Sequence, residues 1–106
     1  MKKIFLILAL SVPFSATFAE SIPQKPPISY KYDTAAWTID NSSVCYNYKY
    51  GSVIYRNCRS YAVEYFTKQC DKYKNILDNK GRNASSEEQN MESMFCHAAS
   101  TYSPVN

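Results

Sequence analysis

The chain contains four cysteines, and their spacing restricts its fold more than any other feature of the sequence. Cys45, Cys58, Cys70 and Cys96 are separated by twelve, eleven and twenty-five residues. An even number of cysteines in a small exported chain indicates disulfide bonds, and four cysteines can pair in three ways. We therefore expect two disulfides and no free thiol.

The first 19 residues have the layout of a cleaved secretory signal, which supplies the exported setting. Lys2 and Lys3 form a charged start, residues 4–12 form a short apolar run, and Ala19 precedes the expected cleavage site. The apolar run is too short to span a bilayer, and no cysteine follows the cleavage site as a lipid attachment point. We expect a protein of the bacterial periplasm without a stable membrane anchor, with secretion beyond the periplasm as the alternative.

The charge balance argues against nucleic acid as a partner. Twelve basic and nine acidic residues give a formal charge of +3, and loss of Lys2 and Lys3 with the signal leaves the chain close to neutral. No basic patch is evident in the sequence that would bind nucleic acid or an anionic membrane. The remaining chain has the size of one domain, whose core alone gives marginal stability.

Residues 53–78 show the strongest periodic pattern in the chain. Apolar residues recur at steps of three and four, which is typical of an amphipathic helix. Ser52 is the predicted N-cap, and Gly81 stands just past the end. The side chains predicted to form the solvated side of this helix are Arg56, Arg59 and Lys68.

A second helix is predicted over residues 86–102. Ser85 and Glu88 have the spacing of a capping box, and Pro104 is expected to stop the helix. The fold class predicted is therefore mainly α: a small disulfide-stapled helical hairpin or bundle, with a short N-terminal extended or hairpin segment.

The N-terminal part of the mature chain is predicted to have two sections. Residues 20–34 carry three of the five prolines and are expected to form a flexible arm. Residues 35–103 are expected to form the single disulfide-bonded domain. Within it, tyrosines alternate over residues 44–50, which suits a strand, although a short helix also fits.

The helix prediction removes one of the three disulfide pairings. Cys58 and Cys70 lie on one predicted helix, where a rise of about 1.5 Å per residue separates them by roughly 18 Å. A disulfide requires Cα atoms within about 7 Å. The only two glycines lie near the midpoints between Cys45 and Cys58 and between Cys70 and Cys96. Chain reversals at the glycines favour these two pairs, and Cys45–Cys70 with Cys58–Cys96 is the alternative.

The sequence offers no pattern for catalysis or metal binding. His97 is the only histidine, and we expect it to be an exposed or half-buried helix residue. The cysteines lack the close pairs that zinc sites need. The start of a helix favours acidic side chains, and this explains the positions of Glu87, Glu88 and Glu92. We expect no catalytic residue, no metal, no cofactor and no enzymatic activity.

Tyrosine is the one compositional excess, with ten residues in the chain. Tyrosine combines apolar area with a polar tip and is enriched in protein interfaces. Three tyrosines on the first helix stripe, Tyr61, Tyr65 and Tyr73, are predicted to be core residues. The aromatic residues proposed as an interaction surface are Trp37, Tyr46, Tyr48 and Tyr50.

One segment of the first helix resembles a known family. The stretch CRSYAVEYF, from Cys58 to Phe66, is similar to the cysteine-then-Tyr-Phe segment of the TrbM/KikA family of small exported proteins from plasmid conjugation regions. The signal, the size, the four cysteines and the late Phe95-Cys96 are also similar to that family. The closely spaced N-terminal cysteines of TrbM are absent here, so the KikA branch is the better match.

The resemblance implies a function but no catalytic residue. It suggests an accessory factor of mating-pair formation or host lethality that works through a protein partner in the cell envelope. A second hypothesis is a small periplasmic inhibitor or exclusion factor that binds an envelope enzyme or an incoming element. Proteins of that class are also small, exported and disulfide-stapled.

The cysteines lead to a prediction about stability. Each disulfide contributes about 2–4 kcal/mol to the free energy of unfolding, so reducing both should remove a large part of the stability of so small a domain. Cys70→Ser should be more damaging than Cys45→Ser, because the bridge it removes is expected to join the two helices. Thermal melts with and without a reductant measure both effects. Equal melting temperatures for oxidised and reduced protein would show that no disulfide is present.

Overall fold

The fold is built on two antiparallel helices. The computed structural model describes residues 24–105, so the expected signal at residues 1–19 lies outside the described residues. Helix α1 spans Val53–Lys80 and helix α2 spans Ser86–Thr101. The predicted mainly α fold is confirmed, with α1 extending two residues further than its periodicity indicates and α2 ending one residue earlier.

The helix ends form as their local sequence predicts. The Ser52 side chain accepts a hydrogen bond from the Tyr55 N–H at the start of α1. Gly81 ends α1 with a φ of 55°, a left-handed conformation that glycine adopts without a steric penalty. Ser85 and Glu88 form both hydrogen bonds of the capping box at the start of α2.

A short 3-10 turn and one ion pair close the hairpin. The turn spans Gly81–Asn83 and leads directly into the capping box. Across it, the Lys80 ammonium lies 2.7 Å from a Glu88 carboxylate oxygen. The hydrogen bond from Lys80 lowers the pKa of Glu88, with a further contribution from the Ser85 backbone. The connection therefore holds the two helices side by side with few residues.

A segment of turns precedes the helices. Strand β1, Tyr32–Asp33, pairs antiparallel with strand β2, Thr38–Ile39, in a two-stranded hairpin. One turn of 3-10 helix follows at Asn41–Ser43. Residues 44–50 are neither the strand nor the short helix that their tyrosine pattern suggests, since they form a succession of turns. The expected short N-terminal hairpin is present, but it lies nearer the N-terminus.

The proline-rich segment differs from the flexible arm expected over 20–34. In its described part, Pro26 is fully buried, and Ile28 and Tyr30 pack against the core. The carbonyl of Ser29 accepts a hydrogen bond of 2.7 Å from the Cys45 N–H. This segment is packed because α1 and α2 leave an aromatic face that Tyr30 covers.

A cluster of aromatic rings lies at the centre of the core. Phe66 and Phe95 are buried at the centre, with ring centroids 6.3 Å apart. Tyr30 lies edge-on to both, at 5.7 and 6.1 Å. Burial of Tyr30 raises the pKa of its hydroxyl, with a further contribution from Tyr65. The rings that complete the cluster belong to Tyr65, Tyr73 and Tyr102. Edge-on pairs of this kind add stability beyond the area that they bury.

The two disulfides follow the favoured pairing. Cys45 is bonded to Cys58 with Cα atoms 6.0 Å apart, and Cys70 is bonded to Cys96 with Cα atoms 4.6 Å apart. The first bridge ties the turn segment to the start of α1. The second joins α1 to α2 near their middles, as the hairpin prediction requires.

Arg59 contradicts the expectation that it lies on the solvated side of α1. Its side chain is buried, with 1% of the residue exposed. The guanidinium donates hydrogen bonds to four backbone carbonyl oxygens at 2.9 to 3.3 Å. These carbonyls belong to Asn41, Val44, Ser103 and Pro104. One buried side chain therefore joins α1 to both the turn segment and the C-terminal tail.

Aromatic rings complete the surroundings of Arg59. The guanidinium carbon lies 5.8 Å from the centre of the Tyr55 ring and 5.2 Å from that of Tyr102, distances at which a cation is attracted to a ring face. The Tyr102 hydroxyl donates a 2.9 Å hydrogen bond to the Arg59 carbonyl. Burial raises the pKa of Tyr102 to about 12, although the positive charge of Arg59 opposes the shift.

Replacement of Arg59 should be among the most damaging single changes. Arg59→Ala leaves four carbonyls without a charged donor and should lower the free energy of unfolding by about 3 kcal/mol or more. Arg59→Lys should recover only part of this loss, since an ammonium cannot reach all four oxygens. Urea denaturation of oxidised protein measures the change.

Arg56→Ala is the matched control for Arg59. Arg56 lies one turn earlier on α1, is exposed, and donates a single hydrogen bond to the Gly51 carbonyl. Its loss should cost less than about 1 kcal/mol. Equal effects of the two alanine variants would contradict the assignment of Arg59 as a buried link.

Candidate functional site

The disulfide between Cys45 and Cys58 closes a loop that leads into the start of α1, at the end of the hairpin away from the Gly81–Asn83 turn. Its backbone forms turns up to Ser52, the N-cap of α1. Cys45 has a φ of 67°, which is uncommon for a residue other than glycine, asparagine or aspartate. The Ser29 hydroxyl donates a hydrogen bond to the side chain of Asn47 in the same loop. These contacts determine where the side chains of the loop are presented.

Two of the four proposed interaction residues are partly buried. Trp37 packs against the core and stacks on Tyr32 with ring centroids 6.1 Å apart. Tyr48 also packs against the core, and its hydroxyl donates a 3.3 Å hydrogen bond to the Pro27 carbonyl. Contacts within the fold therefore cover part of the surface of both side chains.

The other two proposed residues, Tyr46 and Tyr50, project from the loop. Tyr46 is 54% exposed and Tyr50 is 74% exposed. The Tyr50 ring touches Tyr55 at a centroid distance of 5.2 Å, and the Lys31 ammonium lies 5.0 Å from the centre of the Tyr46 ring. Exposed aromatic side chains on a loop held by a disulfide are suited to binding a partner.

Positively charged and aliphatic side chains accompany these tyrosines. Lys31, Lys49 and Arg56 are exposed, and Val53 at the start of α1 is 45% exposed. Arg56 is directed back to the loop by a 2.6 Å hydrogen bond to the Gly51 carbonyl. We call the whole set the basic–aromatic surface: Lys31, Tyr46, Lys49, Tyr50, Val53 and Arg56.

Sequence reasoning missed the charged part of this surface. The overall charge is nearly balanced, and this balance conceals a local excess of basic residues around the loop. The sequence does indicate this excess, because residues 41–63 contain no aspartate or glutamate. The contribution of Lys31 could not be read from the sequence, since it depends on how the N-terminal segment packs beside the loop.

A small cleft where the turn segment meets the end of α2 includes the only histidine of the sequence. It has a volume of about 130 Å³. Its walls are formed by residues of β2, the following 3-10 turn and the last turns of α2, including Thr38, Asn41, His97 and Thr101. His97 is exposed, and its carbonyl accepts a 2.8 Å hydrogen bond from the Thr101 hydroxyl. The cleft walls contain no carboxylate or thiol to work with the imidazole.

Two of the acidic side chains that the structure describes are paired with lysines. Glu88 is held by Lys80 and the capping box, as described above. Glu64 lies on α1 between Lys25 and Lys68, and the hydrogen bond from Lys68 lowers its pKa more than that from Lys25. Within residues 24–105, no group of three or more histidine, cysteine or acidic side chains is placed to hold a metal ion.

Comparison with known proteins adds no relative. No protein-family model, curated protein or solved structure matches this chain. Two disulfides indicate an oxidising, exported environment. Over residues 24–105, none of the helices has the length and apolar character needed to cross a membrane.

The exposed tyrosines should contribute little to stability. Tyr50→Ser and Tyr46→Ser should each change the free energy of unfolding by less than about 1 kcal/mol, because most of each ring already lies in solvent. Tyr48→Ser is the matched comparison in the same loop. It should cost about 2 kcal/mol, since its ring packs against the core. Urea denaturation of the three variants tests this difference. A loss at Tyr50 as large as that at Tyr48 would mean that Tyr50 is a structural residue.

Proposed function

We propose that this protein is a non-enzymatic periplasmic accessory factor of plasmid conjugation that acts through protein–protein contacts. The observation that carries the proposal is the basic–aromatic surface. Tyr46 and Tyr50 are exposed although the loop that bears them is held by a disulfide and by buried contacts. Ring area that is left in solvent on an ordered loop is available for a partner.

The position of Arg59 supports an ordered loop. Its guanidinium holds the carbonyls of Asn41 and Val44, just before the loop begins at Cys45. A surface that is organised before binding loses less conformational entropy when a partner docks. The order of the loop therefore favours the binding of a partner.

The resemblance to the TrbM/KikA family supplies the setting of conjugation. The residues that carry it are structural, since Cys58 is disulfide-bonded and Phe66 is buried in the core. They support a shared framework, and they do not specify a shared contact surface. A cleaved signal at residues 1–19 and residence in the periplasm belong to the same proposal.

Genetic and crosslinking experiments test this function together. Deleting the gene from its native locus should lower mating frequency, and a copy with Tyr46→Ser and Tyr50→Ser should restore it poorly. A photoreactive amino acid at position 50 should crosslink to secretion-channel or pilus components in the periplasm. The same amino acid at position 93, exposed on α2, is the matched control and should give no such product.

Two outcomes would change the assignment. Unchanged mating frequency after deletion, together with no envelope partner, would contradict a role in conjugation. Crosslinking of position 50 to a single soluble hydrolase would favour the inhibitor hypothesis, because a disulfide-closed loop with an exposed tyrosine also suits insertion into an enzyme cleft.

A further inference from the structure

The basic–aromatic surface has one sign of charge. Lys31, Lys49 and Arg56 are exposed there, and residues 41–63 contribute no acidic side chain. The nearest acidic groups before the loop, Asp33 and Asp40, lie beside Lys31 and offset part of its charge, since the Asp40 N–H donates a 2.9 Å hydrogen bond to the Lys31 carbonyl. Asp33 accepts a hydrogen bond from the Ala35 N–H at 2.8 Å, and Asp40 accepts from the Ser42 N–H at 3.0 Å.

Glu64, the first acidic residue after the loop along α1, is paired with two lysines. One oxygen of its carboxylate lies 2.9 Å from the Lys68 ammonium and 3.3 Å from the Lys25 ammonium. Glu64 is thus paired with lysines that do not belong to the basic–aromatic surface. Lys49 and Arg56, in contrast, belong to a segment, residues 41–63, that contains no acidic residue to offset their charge.

The other end of the helical hairpin provides a contrast. Basic and acidic residues are interspersed there along the chain, and Lys80 is paired with Glu88. The residues concerned are Asp71, Lys72, Lys74, Asp78, Lys80, Arg82, Glu87 and Glu88. The loop that carries Lys49 and Arg56 therefore differs from the distal end of the hairpin, because it has basic residues and no acidic residue along its sequence.

We propose that the basic–aromatic surface docks an acidic segment of the partner protein. Carboxylates of that segment would pair with Lys31, Lys49 and Arg56, and an apolar side chain between them would pack against Tyr46 and Tyr50. This inference rests on the proposed function in one respect, since it assumes that the partner is a protein. It adds the chemistry by which the partner is recognised.

The composition of the surface favours a protein segment over a lipid surface. Lipid-binding basic clusters typically contain four to eight lysines or arginines, whereas three are present here. Tyrosine and arginine are the residue types enriched in protein interfaces, where rings fill pockets and charges set orientation. Complementary charge would mainly speed association and select the partner.

A titration with a synthetic peptide tests the docking surface directly. The probe is a twelve-residue glutamate peptide with one central phenylalanine, added to oxidised, isotope-labelled protein recovered from the periplasm. Amide resonances of Lys31 and of residues 46–56 should shift, and those of residues 72–82 should not. Binding should weaken strongly when salt is raised from about 50 mM to about 500 mM.

A charge-matched pair of variants separates a specific surface from net charge. Lys49→Glu with Arg56→Glu should weaken peptide binding at least tenfold. Lys72→Glu with Lys74→Glu changes the net charge equally at the distal end and should alter binding less than twofold. Tyr50→Ser should weaken binding several-fold without a change in charge. Thermal melts confirm that each variant is folded, and Lys49→Glu alone replaces the double variant if that one is not.

Specific results would overturn the proposal. Equal weakening by the two double variants would mean that only net charge matters, and peptide shifts confined to other residues would place the site elsewhere. Tighter binding to vesicles of phosphatidylglycerol and phosphatidylethanolamine than to the peptide would assign the surface to lipid. Deletion that lowers mating frequency while the peptide fails to bind would refute the docking surface alone. Peptide binding at this surface with unchanged mating would refute the conjugation role alone.

Discussion

The arrangement of the turn segment and the C-terminal tail around α1 depends on the buried guanidinium of Arg59. Helix α1 would pack against α2 through aromatic rings in any case, but these rings do not determine where the turn segment and the C-terminal tail lie. Arg59 does so by binding carbonyls from both, at Asn41 and Val44 on one side and at Ser103 and Pro104 on the other. A buried cation needs such partners, since desolvating it without compensation is costly.

The two disulfides serve different parts of this arrangement. Cys70–Cys96 joins the helices, where it supplements packing between Phe66 and Phe95. Cys45–Cys58 fastens a stretch of turns that has almost no regular structure of its own. Turns without a ladder of hydrogen bonds are easily disordered, so the bridge and Arg59 together maintain the loop on which the exposed tyrosines stand.

Sequence reasoning succeeded where the signal was local. Helix periodicity, the capping residues and the cysteine spacing each involve neighbours along the chain, and they predicted the hairpin and the favoured disulfides. Arg59 and Tyr30 were misjudged because their burial depends on residues far away in sequence. At the candidate site, Tyr46 and Tyr50 are exposed as a binding residue must be, whereas Trp37 and Tyr48 are partly covered by packing that no local pattern reveals.

Both disulfides join cysteines that are consecutive along the chain. An exported polypeptide emerges from its translocation channel from the N-terminus onward, so Cys58 is the first available partner of Cys45. Once they are bonded, Cys70 remains alone until Cys96 appears. An oxidant that simply links cysteines in their order of arrival therefore produces the native pattern. Such a chain can reach its final covalent state without an enzyme that reshuffles incorrect bonds.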